Sequence, residues 1–437
     1  MTAVISRVQG WQALDSRGRP TVACRVELST GAFGTAIVPS GASAGSHEAH
    51  ELRDGGRRFG GFGVLDAVTN VNTVLREAVT GVDASVPGAV DAVLERVDGT
   101  VDFLRLGANA VLAISMASTI AAARSAGVSL ARHLAGAGDL LLPMPMVNVI
   151  SGGAHAGGLL DVQDFLVLPH GARTFSEAME WAIAVREATK RRALQAGYRS
   201  AMLVADEGGL GIPLDTNRAG LELLTRSIVD TGLRPHIDVG IAIDVAASEF
   251  YVEGHYEFRS EHRQLTSRQL IDEVHSWCDD FPIVSVEDPL AEDDWDSWSQ
   301  ITSALGNRIQ LIGDDLFVTH LDRLARGIDS RVANSVLVKV NQNGLLSGAH
   351  AVLKTAVRAG YRTVVSARSG DTEDSWLADL AVGWRAAQIK VGSTTRSERT
   401  AKWNRILELE ATESTNFAGP WKTQTKSSPA RPERTNP

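Results

Sequence analysis

The sequence predicts an α/β protein in two parts, a small α+β domain over residues 1–140 and a (β/α)8 barrel over residues 141–418. Three observations carry this expectation. Six short runs rich in β-branched residues end abruptly in charge: Val239-Gly-Ile-Ala-Ile-Asp244, Ile283-Val-Ser-Val-Glu-Asp288, Ile309-Gln-Leu-Ile-Gly-Asp-Asp315, Ser335-Val-Leu-Val-Lys339, Thr363-Val-Val-Ser366 before Arg368, and Gln388-Ile-Lys390. Such runs, bounded by helical segments, read as parallel strands buried on both faces. Their charged tips are separated by roughly 22 to 43 residues, enough for a helix and its loops in each unit. The chain also opens with strands and continues with helices, the order of an α+β domain.

In the first part, strands are expected at 4–8, 21–28 and 33–38, linked by the turn sequences Asp15-Ser-Arg-Gly-Arg-Pro20 and Ser29-Thr-Gly31. Helical periodicity follows at 64–79, 90–97 and 108–126, and Gly127 stops the last of these helices. Between them, Pro39-Ser-Gly-Ala-Ser-Ala-Gly-Ser-His-Glu48 reads either as a plain surface connection or as a mobile lid with hydroxyl ligands. Pro143 and Pro145 mark the change of unit. A strand pair at 144–150 and 162–168 then encloses Ser151-Gly-Gly-Ala-His-Ala-Gly-Gly158, whose glycines allow close approach to a ligand. Helices at 176–196 and 217–231 flank Val204-Ala-Asp-Glu-Gly-Gly209, and the six strand–helix units run to about residue 411. Residues 419–437 are polar and basic, and disorder is expected there.

The chain has 437 residues, a formal net charge of −9 and 44% hydrophobic residues, ample for a large core. The acidic balance argues against bulk nucleic-acid binding but leaves room for a local basic site for a small anion. Only Cys24 and Cys278 are present, which points to a reducing, cytoplasmic setting rather than a disulfide framework. No signal peptide is evident and no run approaches the roughly 18 apolar residues of a membrane span.

Chemistry in α/β barrels is built at the carboxyl ends of the strands. Asp244, Glu287 and Asp314 on neighbouring tips form a hard oxygen set suited to Mg²⁺. Without a cation they would repel one another and raise their own pKa values. Carboxylates that merely cap helices explain one such position, not three. Lys339 and Lys390 face them, and each reads either as a base or as a salt-bridge partner of those carboxylates. His155 alone reads more readily as a structural histidine, and Asp206-Glu207 as a turn.

At this point the sequence resembles the enolase family, from Asp15-Ser-Arg-Gly18 to about Glu410. The matching stretches include Val38-Pro-Ser-Gly-Ala-Ser43, Leu106-Gly-Ala-Asn-Ala110, Gly152-Gly-Ala-His-Ala156, Asp206-Glu-Gly-Gly209 and Ala247-Ser-Glu-Phe250. They continue through Ser285-Val-Glu-Asp288, Gly313-Asp-Asp-Leu-Phe-Val-Thr319, Val338-Lys-Val-Asn-Gln342 and Arg396-Ser-Glu-Arg399. The resemblance implies a capping domain and a barrel of order ββαα(βα)6. It also implies dehydration of 2-phosphoglycerate to phosphoenolpyruvate, or the reverse, with two Mg²⁺ ions. By that resemblance Asp244, Glu287 and Asp314 hold the first Mg²⁺, and Ser43 on the lid ligates the second. Lys339 removes the C2 proton, and Glu207 assists departure of the C3 hydroxyl. Lys390 holds the substrate carboxylate, Arg368 and Ser369 hold its phosphate, and His155, Gln163 and Asp164 line the pocket. The expected partners are a small phosphorylated carboxylate and further copies of the chain, as a homodimer or larger homo-oligomer.

Several positions depart from the family pattern. Ala367 stands where the family has an active-site histidine, and Asp164 replaces a glutamate, shortening its reach by on the order of 1 Å. Ala44 and Val391 replace threonines, Ser151 an asparagine, and Asn343 an isoleucine. The changes gather at the pocket while the metal ligands and both lysines remain. Three readings follow: a divergent enolase, an enolase-like enzyme of phosphonate or phosphinate antibiotic pathways such as carboxyphosphonoenolpyruvate synthase, and a non-catalytic protein on the same scaffold. The third is disfavoured, because an idle site has no reason to retain crowded carboxylates.

Overall fold

The computed structural model describes residues 2–41 and 45–421. The amino-terminal sheet is antiparallel, in the order β1 (Ile5–Leu14), β2 (Pro20–Leu28) and β3 (Phe33–Ile37). β1 continues past the expected end at residue 8, because Gln9 to Leu14 pair in register with Arg25 back to Pro20. The helix Ala108–Ser125 packs across β2 and β3 and is buried on nearly every side. Gly34 makes this possible: a Cβ there would lie 2.0 Å from the Ala117 carbonyl oxygen. The expected helix at 64–79 is interrupted by a π turn, Val71–Leu75. The wider turn presents Asn72 to β1, where its side-chain amide donates to the Gly10 carbonyl at 2.9 Å and accepts from the Gly10 N–H at 2.9 Å.

The remaining strands are β4 (Leu140–Leu142), β5 (Met144–Ser151), β6 (Asp164–Leu168), β7 (Leu210–Gly211), β8 (Gly240–Asp244), β9 (Tyr251–Val252), β10 (His255–Phe258) and β11 (Arg263–Leu265). They continue with β12 (Ile283–Glu287), β13 (Gln310–Gly313), β14 (Ser335–Val338), β15 (Arg362–Ser366), β16 (Gln388–Gly392) and β17 (Thr415–Phe417). Eight of them close a barrel in the order β5-β6-β8-β12-β13-β14-β15-β16, with β16 returning to β5. β6 runs antiparallel to both neighbours and the other ladders are parallel, as the predicted strand pair and six βα units require. The fold is therefore α/β, an eight-stranded closed barrel with a small amino-terminal domain of strands and helices. Alternate residues such as Met144 and Met146, or Leu166 and Leu168, fill its interior with Ile312, Leu337 and Val364.

The meander β9–β11 was not expected, since strands of two to four residues carry too little alternation to register. At the amino-terminal end of the barrel, β17 pairs with β4, and Phe417 and Trp421 cover the interior apolar layer. Gly419 to Trp421 thus belong to the folded structure rather than to the expected tail. A lone indole in a polar run found apolar surface to cover, which composition alone does not reveal. Residues 422–437, and Ser43 with its neighbours on the predicted lid, lie outside the described residues.

The two parts are stitched together near the barrel's carboxyl end. Ser40 and Gly370 exchange two backbone hydrogen bonds, at 2.8 and 2.9 Å, and the Ser16 N–H donates to the Asp371 carbonyl at 2.8 Å. Arg17 donates to the Ser40 and Gly41 carbonyls at 3.1 and 2.8 Å, so the Asp-Ser-Arg-Gly turn clamps the base of the segment leading to Ser43. Because Gly34 carries the closest strand–helix approach in the small domain, Gly34→Val should force the helix Ala108–Ser125 outward. The expected loss is about 1–3 kcal/mol, read as a lowered urea midpoint; an unchanged midpoint would show that the helix yields without cost.

Candidate active site

Parallel pairing sets the ends of the barrel strands level. Glu287 lies opposite Asp244 in the β12–β8 ladder, and Asp314 follows the last residue of β13. A one-residue slip in either ladder would turn these side chains away from the mouth. The Lys390 ammonium, on β16, donates to Asp244 Oδ2 at 2.6 Å and to both Glu287 oxygens at 2.8 and 2.9 Å. Lys339, just past β14, pairs with Asp314 Oδ2, while Gln342 Nε2 donates to Asp314 Oδ1 at 3.0 Å. Asp288 accepts from the backbone N–H groups of Asp314 and Asp315 at 2.9 and 2.7 Å, which fixes the turn that carries Asp314.

Burial and mutual charge decide the protonation of this cluster. Burial, with Asp244 next to it, raises Glu287 well above the usual carboxylate range. Asp244, although equally buried, is lowered by Lys390. Two carboxylates share one ammonium, and their mutual repulsion falls more heavily on Glu287. Burial alone would strip Lys390 of its proton, but Asp244 and Glu287 hold it well above its ordinary value. Lys339 behaves alike: burial opposes its charge and Asp314 more than restores it. Burial beside Asp314 pushes Asp315 up to about 8.

The three predicted metal ligands thus gather at one mouth but do not form one compact group. Among the described residues, the sets of ligand atoms lying within 4.8 Å of one another are Asp288, Asp314 and Asp315; His155, Asp164 and Glu207; and the more exposed His47, Glu292 and Asp293. Asp244 and Glu287 have turned to Lys390 and Asp314 to Lys339, because ammonium groups supply the positive charge the carboxylates require. The chain nevertheless fits a hard divalent cation. Asp244, Glu287 and Asp314 offer only oxygen, and their pocket already attracts positive charge. Gln163, which donates to Asp244 at 3.3 Å, leaves its own buried Oε1 with no acceptor role filled among the described residues.

Across the mouth stands His155, on the turn after β5. Its Nδ1–H donates to Asp164 Oδ2 at 2.9 Å, and its Nε2 faces Glu207 Oε1 at 3.7 Å. Burial disfavours an imidazolium here, yet Asp164 and Glu207 together raise His155 to about 9. Asp164 also accepts from Asn148 Nδ2 and from the Ser151 hydroxyl, the latter at 3.2 Å. Burial pushes Asp164 upward, but three donors converge on it, so the proton resides on His155. Glu207, buried too, is lowered chiefly by the charged His155.

The β15 end supplies the predicted anion-binding residues. Arg368 donates to Glu48 at 2.9 and 3.1 Å and to Asn341 Oδ1 at 3.0 Å. Arg399, fully buried, donates to the carbonyls of Arg368, Ser369 and Val391 at 2.7, 2.5 and 3.0 Å, holding the loop that presents Arg368 and Ser369. Ala367 is 6% exposed and contributes only a methyl group where a polar side chain was expected from the resemblance. Downstream of residue 44, the Ser46 N–H donates to Glu292 at 3.3 Å and the Ser46 hydroxyl bonds the same carboxylate.

Sequence reasoning assigned no role to Glu48, Asn148, Asp288, Gln342 or Arg399. Four of them lie within or beside the quoted motifs, so a signal existed. What it lacked was a geometric partner, since each acts through a residue distant in the chain.

Two family models match this chain: the amino-terminal domain of enolase over residues 5–134, and the carboxyl-terminal TIM barrel domain of enolase over residues 139–426. Enolases depend on Mg²⁺ and act on small phosphorylated substrates, and the barrel mouth here offers acidic groups for the metal. No helix among the described residues is long and apolar enough to cross a membrane. Matched over nearly its whole length by both domains, in the order and with the barrel closure described above, the chain belongs to the enolase family and is an enolase-superfamily lyase.

Proposed function

We propose that this protein carries out Mg²⁺-dependent dehydration of 2-phosphoglycerate to phosphoenolpyruvate, or the reverse. The observation that carries the reading is the opposition of Lys339 and the Glu207–His155 pair across one carboxylate-lined barrel mouth. On this reading Asp244, Glu287 and Asp314 hold one Mg²⁺, and Ser43 contributes to a second. The bound cations supply electrostatic stabilisation of the negative charge that develops on the substrate carboxylate. Lys390 orients that carboxylate, and Arg368 and Ser369 receive the phosphate, with Glu48 released from Arg368.

The chain's own groups then account for both protons. Lys339 accepts the C2 proton only when Asp314 no longer holds it as an ammonium, so Asp314 governs the base. The C2–H electron pair becomes the C2=C3 bond, and the C3–O bond breaks. The hydroxyl departs as water with a proton that the His155 imidazolium first passes to Glu207 and Glu207 then delivers to the leaving oxygen. His155 supports that donation, because its imidazolium carries the proton that Glu207, as a carboxylate, lacks. Gln163 and Asp164 shape the pocket beside them.

Ala367 favours a second reading, an enolase-like enzyme of phosphonate or phosphinate biosynthesis acting on a larger or modified phosphoenolpyruvate-type substrate. A methyl group there leaves more space and fewer hydrogen bonds beside the phosphate region. Assay of the purified protein with 2-phosphoglycerate and Mg²⁺, with EDTA as control, tests the first reading. Ala367→His should raise dehydration above the wild-type rate, and more so combined with Asp164→Glu. If the pocket is instead reshaped, the imidazole should lower activity on candidate phosphonate substrates, even where a trace of 2-phosphoglycerate dehydration appears.

Lys339→Ala should stop exchange of the C2 proton with solvent deuterium while substrate still binds. General bases contribute roughly 100- to 10,000-fold, so wild-type exchange in the variant would remove Lys339 from the role.

The buried His155–Asp164 pair also makes stability depend on pH. Its folded pKa of about 9 lies above the ordinary 6.5, so the stabilisation is complete below 6.5 and is lost as pH rises through about 9. Asp164→Asn should lower the His155 pKa seen by NMR, and the stability gap to wild type should shrink across that window. A gap that widens with pH would contradict the assignment of the proton to His155.

A further inference from the structure

The opposite end of the barrel carries a charge that the catalytic mouth does not use. β15 begins with Arg362, whose guanidinium lies 3.8 Å over the ring of Trp421. Trp421 is fixed there by its backbone N–H, which donates to the His170 carbonyl at 2.8 Å, and by packing against the barrel's interior apolar layer. Burial pushes Arg362 down to about 10, and no neighbouring charge offsets that effect. Among the described residues no carboxylate reaches the guanidinium. The indole Nε1–H of Trp421 is likewise buried without an acceptor among the described residues.

Both groups line one cleft of about 230 Å³, together with Arg308, Asn307 and Asn334, and no Asp or Glu among the described residues lines it. Arg308 has its own counter-charge in Asp279, at 2.6 Å, so the unmatched charge is that of Arg362. Stacking on an indole occupies the face of a guanidinium and leaves its edge, a planar fork of N–H donors, directed elsewhere. A half-buried cation whose donor fork meets no carboxylate among the described residues is complementary to two oxygens of one anion. We infer that this cleft is a binding site for a compact oxyanion of the phosphate class, held by the Arg362 guanidinium with the Trp421 ring as its platform. It stands on the far side of the barrel from Lys339 and Lys390 and does not depend on the function proposed above.

The probe is inorganic phosphate, titrated into the full-length ¹⁵N-labelled protein, with sodium chloride at matched ionic strength as control. The Trp421 indole resonance, assigned through Trp421→Phe, should move saturably with phosphate and not with chloride. In Arg362→Gln the saturable movement should be lost, while catalytic activity stays at the wild-type level. In parallel, wild-type crystals soaked in sodium selenate should show an anomalous peak within hydrogen-bonding distance of Arg362, a measurement that needs no variant. An indole signal indifferent to phosphate, an unchanged response in Arg362→Gln, or a selenate peak confined to the Arg368 end of the barrel would overturn the assignment.

Discussion

Mutual repulsion among buried carboxylates is the constraint on which the rest of this structure depends. Asp244, Glu287, Asp288 and Asp314 are all nearly inaccessible at one barrel mouth, with Asp315 beside them. Such a cluster is tolerable only if cations are supplied at the same depth. Lys390 supplies one from β16, across the mouth from Asp244 and Glu287, and Lys339 supplies another from β14, next to the strand that Asp314 follows. Parallel register keeps acids and lysines level, and barrel closure between β16 and β5 keeps Lys390 within reach of β8 and β12. Burial and the neighbouring Asp244 raise Glu287 well above the usual carboxylate range, so the cluster remains crowded with like charge even with both ammonium groups in place. A site in that state has affinity for further positive charge, which is the property a Mg²⁺-dependent family requires.

A second set of buried cations acts on backbone rather than on carboxylates alone. Arg399 gathers three carbonyls of the Arg368 loop and β16, and Lys402 donates to the Thr372 carbonyl at 2.6 Å and to Asp371 at 2.7 Å. Arg186 donates to the Gly208 carbonyl at 3.1 Å, steadying the turn that carries Glu207. These contacts give loops at the mouth some of the rigidity that strands would otherwise provide. The amino-terminal domain is fastened to the same region through Ser16, Ser40 and Gly370, so its Arg17 clamp shares the loop held by Arg399.

The departures from the family pattern are not scattered. Asp164 and Ser151 are partners in one hydrogen-bonded patch with Asn148 and His155. Ala367 presents only a methyl group at the β15 end of the same mouth. The imidazole that faces Glu207 at this mouth is that of His155, at 3.7 Å. Nothing in the structure explains Asn343, whose amide donates to the Thr319 carbonyl at 3.1 Å, as a change of function.

Strand order, barrel class and the charged strand tips were legible in the sequence. Each rests on local alternation, β-branched runs and spacing, which neighbours along the chain largely determine. The same holds for Asp244, Glu287, Asp314, Lys339 and Lys390 as candidates, because a charge ending an apolar run has no packing role. The π turn at Val71–Leu75, the short meander β9–β11 and the docking of Trp421 were not legible, since each is stabilised by contacts with distant segments. Sequence left each lysine open as base or as salt-bridge partner; the tertiary structure placed Lys390 between Asp244 and Glu287, and Lys339 on Asp314. It likewise turned a lone His155 into an imidazolium between Asp164 and Glu207. A residue's chemical type is written in the chain, but its protonation depends on burial and on charges brought near by folding, and only the closed barrel fixes those distances.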